Sequence, residues 1–215
     1  MVKSEYIKGV MRRMNELGWD DTFQGAFAGS DTTKVERQVE ALFRDAWRAA
    51  VNLLPRNYFS SKSFKNSNLI SDVSTGSGFV VIPNNFYVLL LFKMKGWKKP
   101  CFTAIEDNDA ISAVQSNDFV RGNFCRPACT ISENLKYGRI LNYYSLPKGN
   151  KHVIEEALYI PLIDNIVNLN DNTDLNLDER LYEPLQWINA GLVFSVFEKA
   201  DIAKVANEKA LEIIV

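Results

Sequence analysis

The chain has 215 residues, 47% of them hydrophobic and 24% charged, which suits one substantial core or a core with a smaller appendage and argues against wholesale disorder. Its 25 basic and 26 acidic residues leave a net charge of −1, so no global electrostatic footprint points to nucleic acid or to an acidic membrane surface. Three cysteines make no disulfide framework, the opening MVKSEYIKGVMRRMN lacks the apolar stretch of a secretory signal, and the apolar runs at 86–92 and 190–196 are far short of a membrane span, so synthesis in a reducing, cytoplasm-like compartment is expected.

Ser4 is placed to cap a first helix with Ile7, Val10, Met11, Met14 and Leu17 on one face, and Gly18 is placed to end it. Residues 20–30, broken by Gly25 and Gly29 and carrying Phe23 and Phe27, read as a loop. Thr33 and Glu36 make a capping box. The helix behind it carries Val35, Val39, Leu42, Ala46, Trp47, Ala50 and Leu53 at spacings of three and four. Pro55 stops it, leaving about 22 residues and a rod of roughly 33 Å.

Residues 60–78, rich in Ser, Asn, Lys and Gly, are expected to form a long polar loop, mobile or ordered by a partner. The pattern then changes to strand at 79–82, turns at Pro83-Asn84-Asn85, and continues at 86–95, whose unbroken apolar run implies burial on both faces. A turn at 95–99 around Gly96 leads to a return strand at 101–105. Irregular chain with a short helix near 110–115 follows, then strands at 139–144 and 152–160 joined by a turn at 147–150. Pro184 suits the first turn of a helix through Leu185, Ile188, Leu192 and Val196. Asp201 is placed to cap a last helix with Ile202, Val205, Ala206, Lys209 and Ile213 on its face. Helices, then strands, then helices define an α+β fold. Residues 1–59 and 178–215 are expected to form a helical bundle, with a mainly antiparallel, β-rich region inserted at 60–177.

Constellations that could carry catalysis fail on spacing. The single histidine, His152, sits at a strand start beside Lys151 without a nucleophile motif, and reads as a surface or capping residue. Cys125 and Cys129 have a C-x3-C spacing with Cys101 and His152 at a distance, but no second close pair completes a zinc site, so buried free thiols are expected. Glu106, Asp107 and Asp109 share a loop that could hold a hard cation but reads more simply as a solvated turn. Glu155 and Glu156, adjacent in a strand, point to opposite faces. Residues 74–78 (STGSG) lack the lysine of a phosphate loop and precede a strand instead of a helix. The expectation is a protein without catalytic residues, metal or cofactor.

Two features suggest contact. Lys93, Lys95, Lys98 and Lys99 cluster about one hairpin with Trp97 between them, a weak candidate for touching phosphate and stacking a base, although hairpin tips are commonly lysine-rich. The sequence finishes in Ile213, Ile214 and Val215, an apolar segment that would dock onto a core or onto a neighbouring subunit.

The order of Ile82-Pro83-Asn84-Asn85-Phe86, then Tyr143-Tyr144-Ser145-Leu146-Pro147, then the helices from Pro184 and Asp201 is that of a known family. The chain resembles the head-to-tail adaptor, or connector, proteins of short-tailed bacteriophages, and is similar also to the ring proteins of crAss-like gut phages. In that family a helical pair precedes a Leu/Ile-Pro-x-Asp-Phe segment, a Tyr-Tyr-x-x-Pro-like strand follows, and two helices close the domain. Asn85 stands where the family often has Asp, and residues 106–136 form an irregular insertion. The resemblance implies a structural component of the virion neck, with about twelve copies in a closed ring that joins the capsid portal to the tail and lines the DNA exit channel. Its partners would be copies of itself, the portal protein and other tail or ring proteins, with DNA only passing through and no membrane. It would reside in the virion, and in host cytoplasm during assembly. Trp47, Ile213, Ile214 and Val215 would then be subunit or portal contacts. The alternative is an accessory nucleic-acid-binding module using the 93–99 hairpin.

Overall fold

The computed structural model describes residues 1–18, 32–115, 117, 119–149 and 151–213, the side chains of residues 32 and 33 apart. The loop expected at 20–30 lies outside the described residues. In chain order the elements are α1 (Lys3–Glu16), α2 (Thr32–Leu53), a 3-10 turn (Arg56–Tyr58), strands β1 (Lys62–Ser63), β2 (Leu69–Asp72), β3 (Ser77–Val81), β4 (Phe86–Met94) and β5 (Ile105–Glu106), the short helix α3 (Ala110–Val114), strands β6 (Cys129–Asn134), β7 (Gly138–Tyr143) and β8 (Ile154–Pro161), and helices α4 (Glu179–Val196) and α5 (Ala200–Glu212). The fold is α+β, with helices at both ends and strands between. It divides into two compact units, residues 1–60 with 162–215, and Ser61–Pro161.

The first unit is a helical bundle built around α4. Residues 184–191 of that helix are all buried, as expected of a helix covered on every side by its neighbours, and α1, α2 and α5 each pack against it. Pro184 does not open the helix, as the sequence suggested, but lies inside it. The start is Asp178, whose carboxylate accepts from the Arg180 N–H at 3.0 Å and from its guanidinium at 3.0 and 2.9 Å. Those bonds from Arg180 hold the Asp178 carboxyl down at about 2. Gly191 has no side chain, and this lets α5 lie close. A Cβ there would stand 3.1 Å from the Ala203 carbonyl oxygen and 3.3 Å from the Ala206 Cβ. The face α5 buries is therefore Ala203, Ala206 and Ala210; Val205 and Ile213, expected on it, are exposed. Asp201 lies in the first turn of α5, after the cap residue Lys199.

At the other end of the chain, Ser4 is likewise not the cap of α1. Val2 precedes the helix, and two of its free N–H groups are satisfied from far along the chain: Lys3 N–H donates to Thr173 O at 2.9 Å and Ser4 N–H to Asp171 O at 3.0 Å. The same stitching moves the boundary of the inserted region. Residues 162–177, read from sequence as part of it, belong to the helical unit. Gly18 ends α1 as expected, at φ 81° with its N–H on Asn15 O. Helix α2 already includes Thr32, and the Thr33 side chain proposed as its cap lies outside the described residues. Of its expected face Val39, Ala46, Trp47 and Ala50 are buried, Val35 and Leu42 are half-buried and Leu53 is exposed. Phe43, not expected on that face, is also buried and meets Tyr6 of α1 edge-on, ring centroids 5.0 Å apart.

The second unit contains two sheets among the described residues, one ordered β1-β8-β4 and the other β2-β3-β7-β6-β5. All strand pairs are antiparallel except β5 with β6. Side chains from both sheets enter one cluster, with Phe64, Phe86, Phe92, Trp97, Tyr143 and Tyr159 at its aromatic centre. The stretch 60–78 is not a long loop. It contains β1, β2 and the first residues of β3, and β2 and β3 form a hairpin whose turn is held by Asp72. Its polar composition reflects exposure: β1 is exposed and β2 half so.

Strand β4 is the apolar run of the sequence, and none of its residues is exposed. Its fully buried positions are Phe86, Leu89, Phe92 and Met94, because two register shifts against β8 between 86 and 91 turn the alternation into steps of three. The expected return strand at 101–105 is reduced to one bridge, Cys101 exchanging two 2.8 Å bonds with Phe92, after which Ile105–Glu106 joins the other sheet. Strands β7 and β8, read as neighbours across the 147–150 turn, belong to different sheets. Within the stretch read as irregular, β6 pairs residue for residue with β7 across a turn in which Asn134 Oδ1 accepts from the N–H groups of Lys136 and Tyr137.

Asn189, fully buried in α4, donates from Nδ2 to Tyr6 Oη at 2.9 Å and to Val39 O at 3.0 Å, tying α1 and α2 to the central helix. Asn189→Ala should lower the unfolding free energy by about 2 kcal/mol, since it removes two buried hydrogen bonds and opens a void. Urea unfolding followed by circular dichroism at the helical wavelength measures this.

Candidate functional site

The basic hairpin forms as expected at 95–99, with Gly96 at φ 107° and Trp97 N–H returning to Met94 O at 3.0 Å. Its parts do not converge on a nucleic-acid surface. Trp97 is 4% exposed, meets Phe92 edge-on, and donates from Nε1 to Tyr144 O at 3.1 Å, so its ring belongs to the core and has no face for a base. Lys93 pairs with Glu155 at 2.8 Å, and Lys98 lies over the Phe124 ring at 5.5 Å. Lys95, Lys98 and Lys99 are exposed.

The expected subunit contacts separate in the same way. Trp47 is 2% exposed and meets Phe59 edge-on at 5.1 Å; this ring packs within its own unit and is closed to a partner. Ile213 is 43% exposed, whereas Ile214 and Val215 lie outside the described residues. Exposed apolar side chains that the sequence did not signal lie in the second unit. Phe102, Ile111, Val114, Phe119, Val120 and Phe124 are all exposed, Phe119 at 97%. The run of apolar residues between 102 and 124 was visible, but without helix or strand periodicity nothing distinguished a buried from an exposed placement.

Asp107, Asp109 and Cys101 of the candidate clusters are engaged locally. Asp109 caps α3 by accepting from Ile111 N–H at 2.9 Å, and Asp107 accepts from Ser112 Oγ at 3.3 Å. Cys101 donates to Pro127 O at 3.0 Å. Burial pushes the Cys129 thiol well above its ordinary range, and its neighbour Cys101 adds to that. Cys125 is half-buried and does not join them in a metal cage; among the described residues no three His, Cys, Asp or Glu side chains form one.

His152 is the residue that sequence reasoning placed wrongly. It is 4% exposed, not a surface or capping group, and its Nδ1 lies 2.7 Å from the Tyr143 hydroxyl. The alternation His152, Ile154 was the available signal, since both are buried on the way into β8. Burial pushes the imidazole below its usual value, the nearby Asp72 carboxylate opposing that, and burial pushes the Tyr143 hydroxyl up. His152 Nε2 is buried without a hydrogen-bond partner. The residue lines a cleft of about 530 Å³ together with Lys95, Gly96, Leu146, Pro147, Lys151 and Val153.

No family model matches the chain, and no curated protein matches it. Among the described residues, no helix is long and apolar enough to cross a membrane.

The buried imidazole has a consequence for stability. The unfolded chain takes up a proton near the ordinary histidine value of 6.5, whereas the folded chain resists it, so stability is greatest above that value and falls as pH drops through it. In a cationic buffer the melting temperature should decline from about pH 7.5 to about pH 5.5, before the lowered carboxyls of Asp72 and Asp178 titrate. His152→Gln should flatten that decline; an unchanged slope in the variant would assign it to other groups.

Proposed function

We propose that the chain is a structural component of a phage virion neck, a subunit of a homo-oligomeric ring that joins the capsid portal to the tail and encloses the path of DNA. The observation that carries this reading is the set of apolar side chains left in water between 102 and 124. A folded monomer rarely leaves several large apolar groups exposed in one short stretch unless that surface meets another protein. The helical pair at the start, the β region and the two closing helices follow the order of the adaptor family that the sequence resembles. The near-neutral charge also suits a conduit, through which DNA must slide without its phosphates being held. In the other unit Val205, Leu211 and Ile213, on the last helix and at its end, are exposed as well.

Closed rings need head-to-tail interfaces, in which two different surfaces of the same chain meet. Native mass spectrometry should find assemblies of many copies, alone or on addition of portal protein. Phe119→Glu should weaken that assembly by about tenfold or more by removing an exposed apolar contact, with circular dichroism unchanged. A chain that stays monomeric at high concentration and also ignores portal protein overturns the proposal.

A further inference from the structure

The buried cluster of the second unit holds two thiols side by side. Cys101 stands opposite Phe92 of β4, exchanging two 2.8 Å backbone bonds with it, and Cys129 stands opposite Tyr143 in the β6–β7 pair. Residues directly opposite on antiparallel strands point to the same face. The Phe92 and Tyr143 rings meet across the core with centroids 6.3 Å apart, so each cysteine follows its aromatic partner into the space between the two sheets. There Cys101 Sγ donates to Pro127 O at 3.0 Å, two residues before Cys129, and the Cys101 side chain lies beside the Cys129 thiol.

The chain between these two cysteines carries the exposed apolar side chains of the unit, Phe102 through Phe124. Its regular structure is slight: β5 is two residues long and α3 five. The stretch is fastened near its ends by the Cys101–Phe92 bridge and by the parallel pairing of Ile105 and Glu106 with Thr130 and Ile131. The two thiols therefore sit at the base of the excursion, one on each arm.

We propose that Cys101 and Cys129 are an oxidation site, closing to a disulfide between the two sheets when the protein meets hydrogen peroxide, and that the bond ties together the arms of the 102–128 stretch. The first step falls to Cys101, 5% exposed where Cys129 is fully buried. Its sulfur attacks one peroxide oxygen, the O–O bond breaks, and a sulfenic acid and one water result. The Cys129 sulfur then attacks the sulfenic sulfur, and its proton leaves with the displaced hydroxyl as a second water. Two thiols thus give two electrons to one peroxide, and no further reactant is needed. Burial holds Cys129 in its thiol form, which suits the resolving role and not the first attack. A reducing compartment keeps the pair open and an oxidising one closes it. Nothing in this chemistry depends on the assembly reading.

The test uses the whole chain, purified with a reductant that is then removed. After exposure to hydrogen peroxide the protein is unfolded, its remaining thiols are blocked with N-ethylmaleimide, and its peptides are mapped by mass spectrometry without reduction. The peptides of Cys101 and Cys129 should appear joined, two hydrogens lighter than their sum, with Cys125 blocked. The oxidised chain should melt about 5 °C or more above the untreated chain, since closing the loop removes entropy from the unfolded state, and dithiothreitol should abolish the difference. Cys125→Ser should keep both results and Cys101→Ser should lose both. The peptide map of the unaltered chain decides the pairing even where a variant folds poorly. A bond to Cys125, a bond between two chains, sulfinic acid in place of the disulfide, three thiols left free, or a closed pair that leaves the melting temperature unchanged overturns the proposal.

Discussion

The amide of Asn189 holds the helical unit to a constraint that no local sequence signal expresses. That unit is assembled from the first sixty residues and the last fifty or so, and its two parts are separated by a complete β unit. Helices drawn from such distant segments meet only after a large loop has closed, and the entropy of closure must be offset by contacts that form across it. Asn189 reaches Tyr6 on α1 and Val39 on α2 from one buried side chain. Lys3, 4% exposed, adds a second cross-link, its ammonium 2.9 Å from Glu40 Oε1 and 2.9 Å from Leu169 O. An unpaired ammonium at that depth would be strongly disfavoured, so α1 must be seated with both partners in place. Polar groups of this kind fix one arrangement of helices that hydrophobic stripes alone would leave free to rotate.

That constraint also explains which features could be read from the sequence. The existence and type of the long helices were legible, because α1, α2 and the C-terminal pair carry apolar residues at helical spacing. Their ends and faces were less so. Ser4 resembled a cap, but the helix starts before it, with Lys3 and Ser4 N–H held by the 171–173 backbone and Tyr6 N–H by Val2 O. Pro184 resembled a helix start, but Asp178 provides a better one, and the missing N–H of the proline removes only one bond early in α4. On α5 the larger apolar side chains drew attention. The buried face belongs instead to alanines, because Gly191 lets the two backbones come too close for anything larger.

In the β unit the failures have a different origin. Alternation is a reliable signal only while the register is unbroken, and the shifts along β4 break it. Strands β1 and β2 are polar because they are short and exposed or half-covered, so composition made them look like loop, whereas β6 is buried over Cys129–Ile131 and its Thr, Ser, Glu and Asn hid it. Among the candidate site residues, the lysines at 93–99 were correctly placed on a hairpin, but Trp97 between them points inward. A tryptophan flanked by lysines in sequence need not share their surface, since neighbouring residues in a turn face different ways. His152 shows the converse: a polar residue beside Lys151 in sequence lies with the core, because the strand it enters carries it inward with Ile154.

What is left for recognition follows from how fully the interiors are used. Trp47, Trp97, Tyr143 and the central tyrosine Tyr6 all have their polar or aromatic edges engaged within their own unit. Residues with that much internal engagement cannot turn outward without leaving unsatisfied groups behind. Contacts with other molecules must therefore come from groups that the fold leaves uncommitted. The exposed side chains of Ile111, Val114, Phe119 and Val120 are of this kind. Apolar groups of this sort favour another protein surface over a small polar ligand, since covering apolar area is non-directional and tolerant of shape, whereas a polar ligand rewards only donors and acceptors placed in line with it.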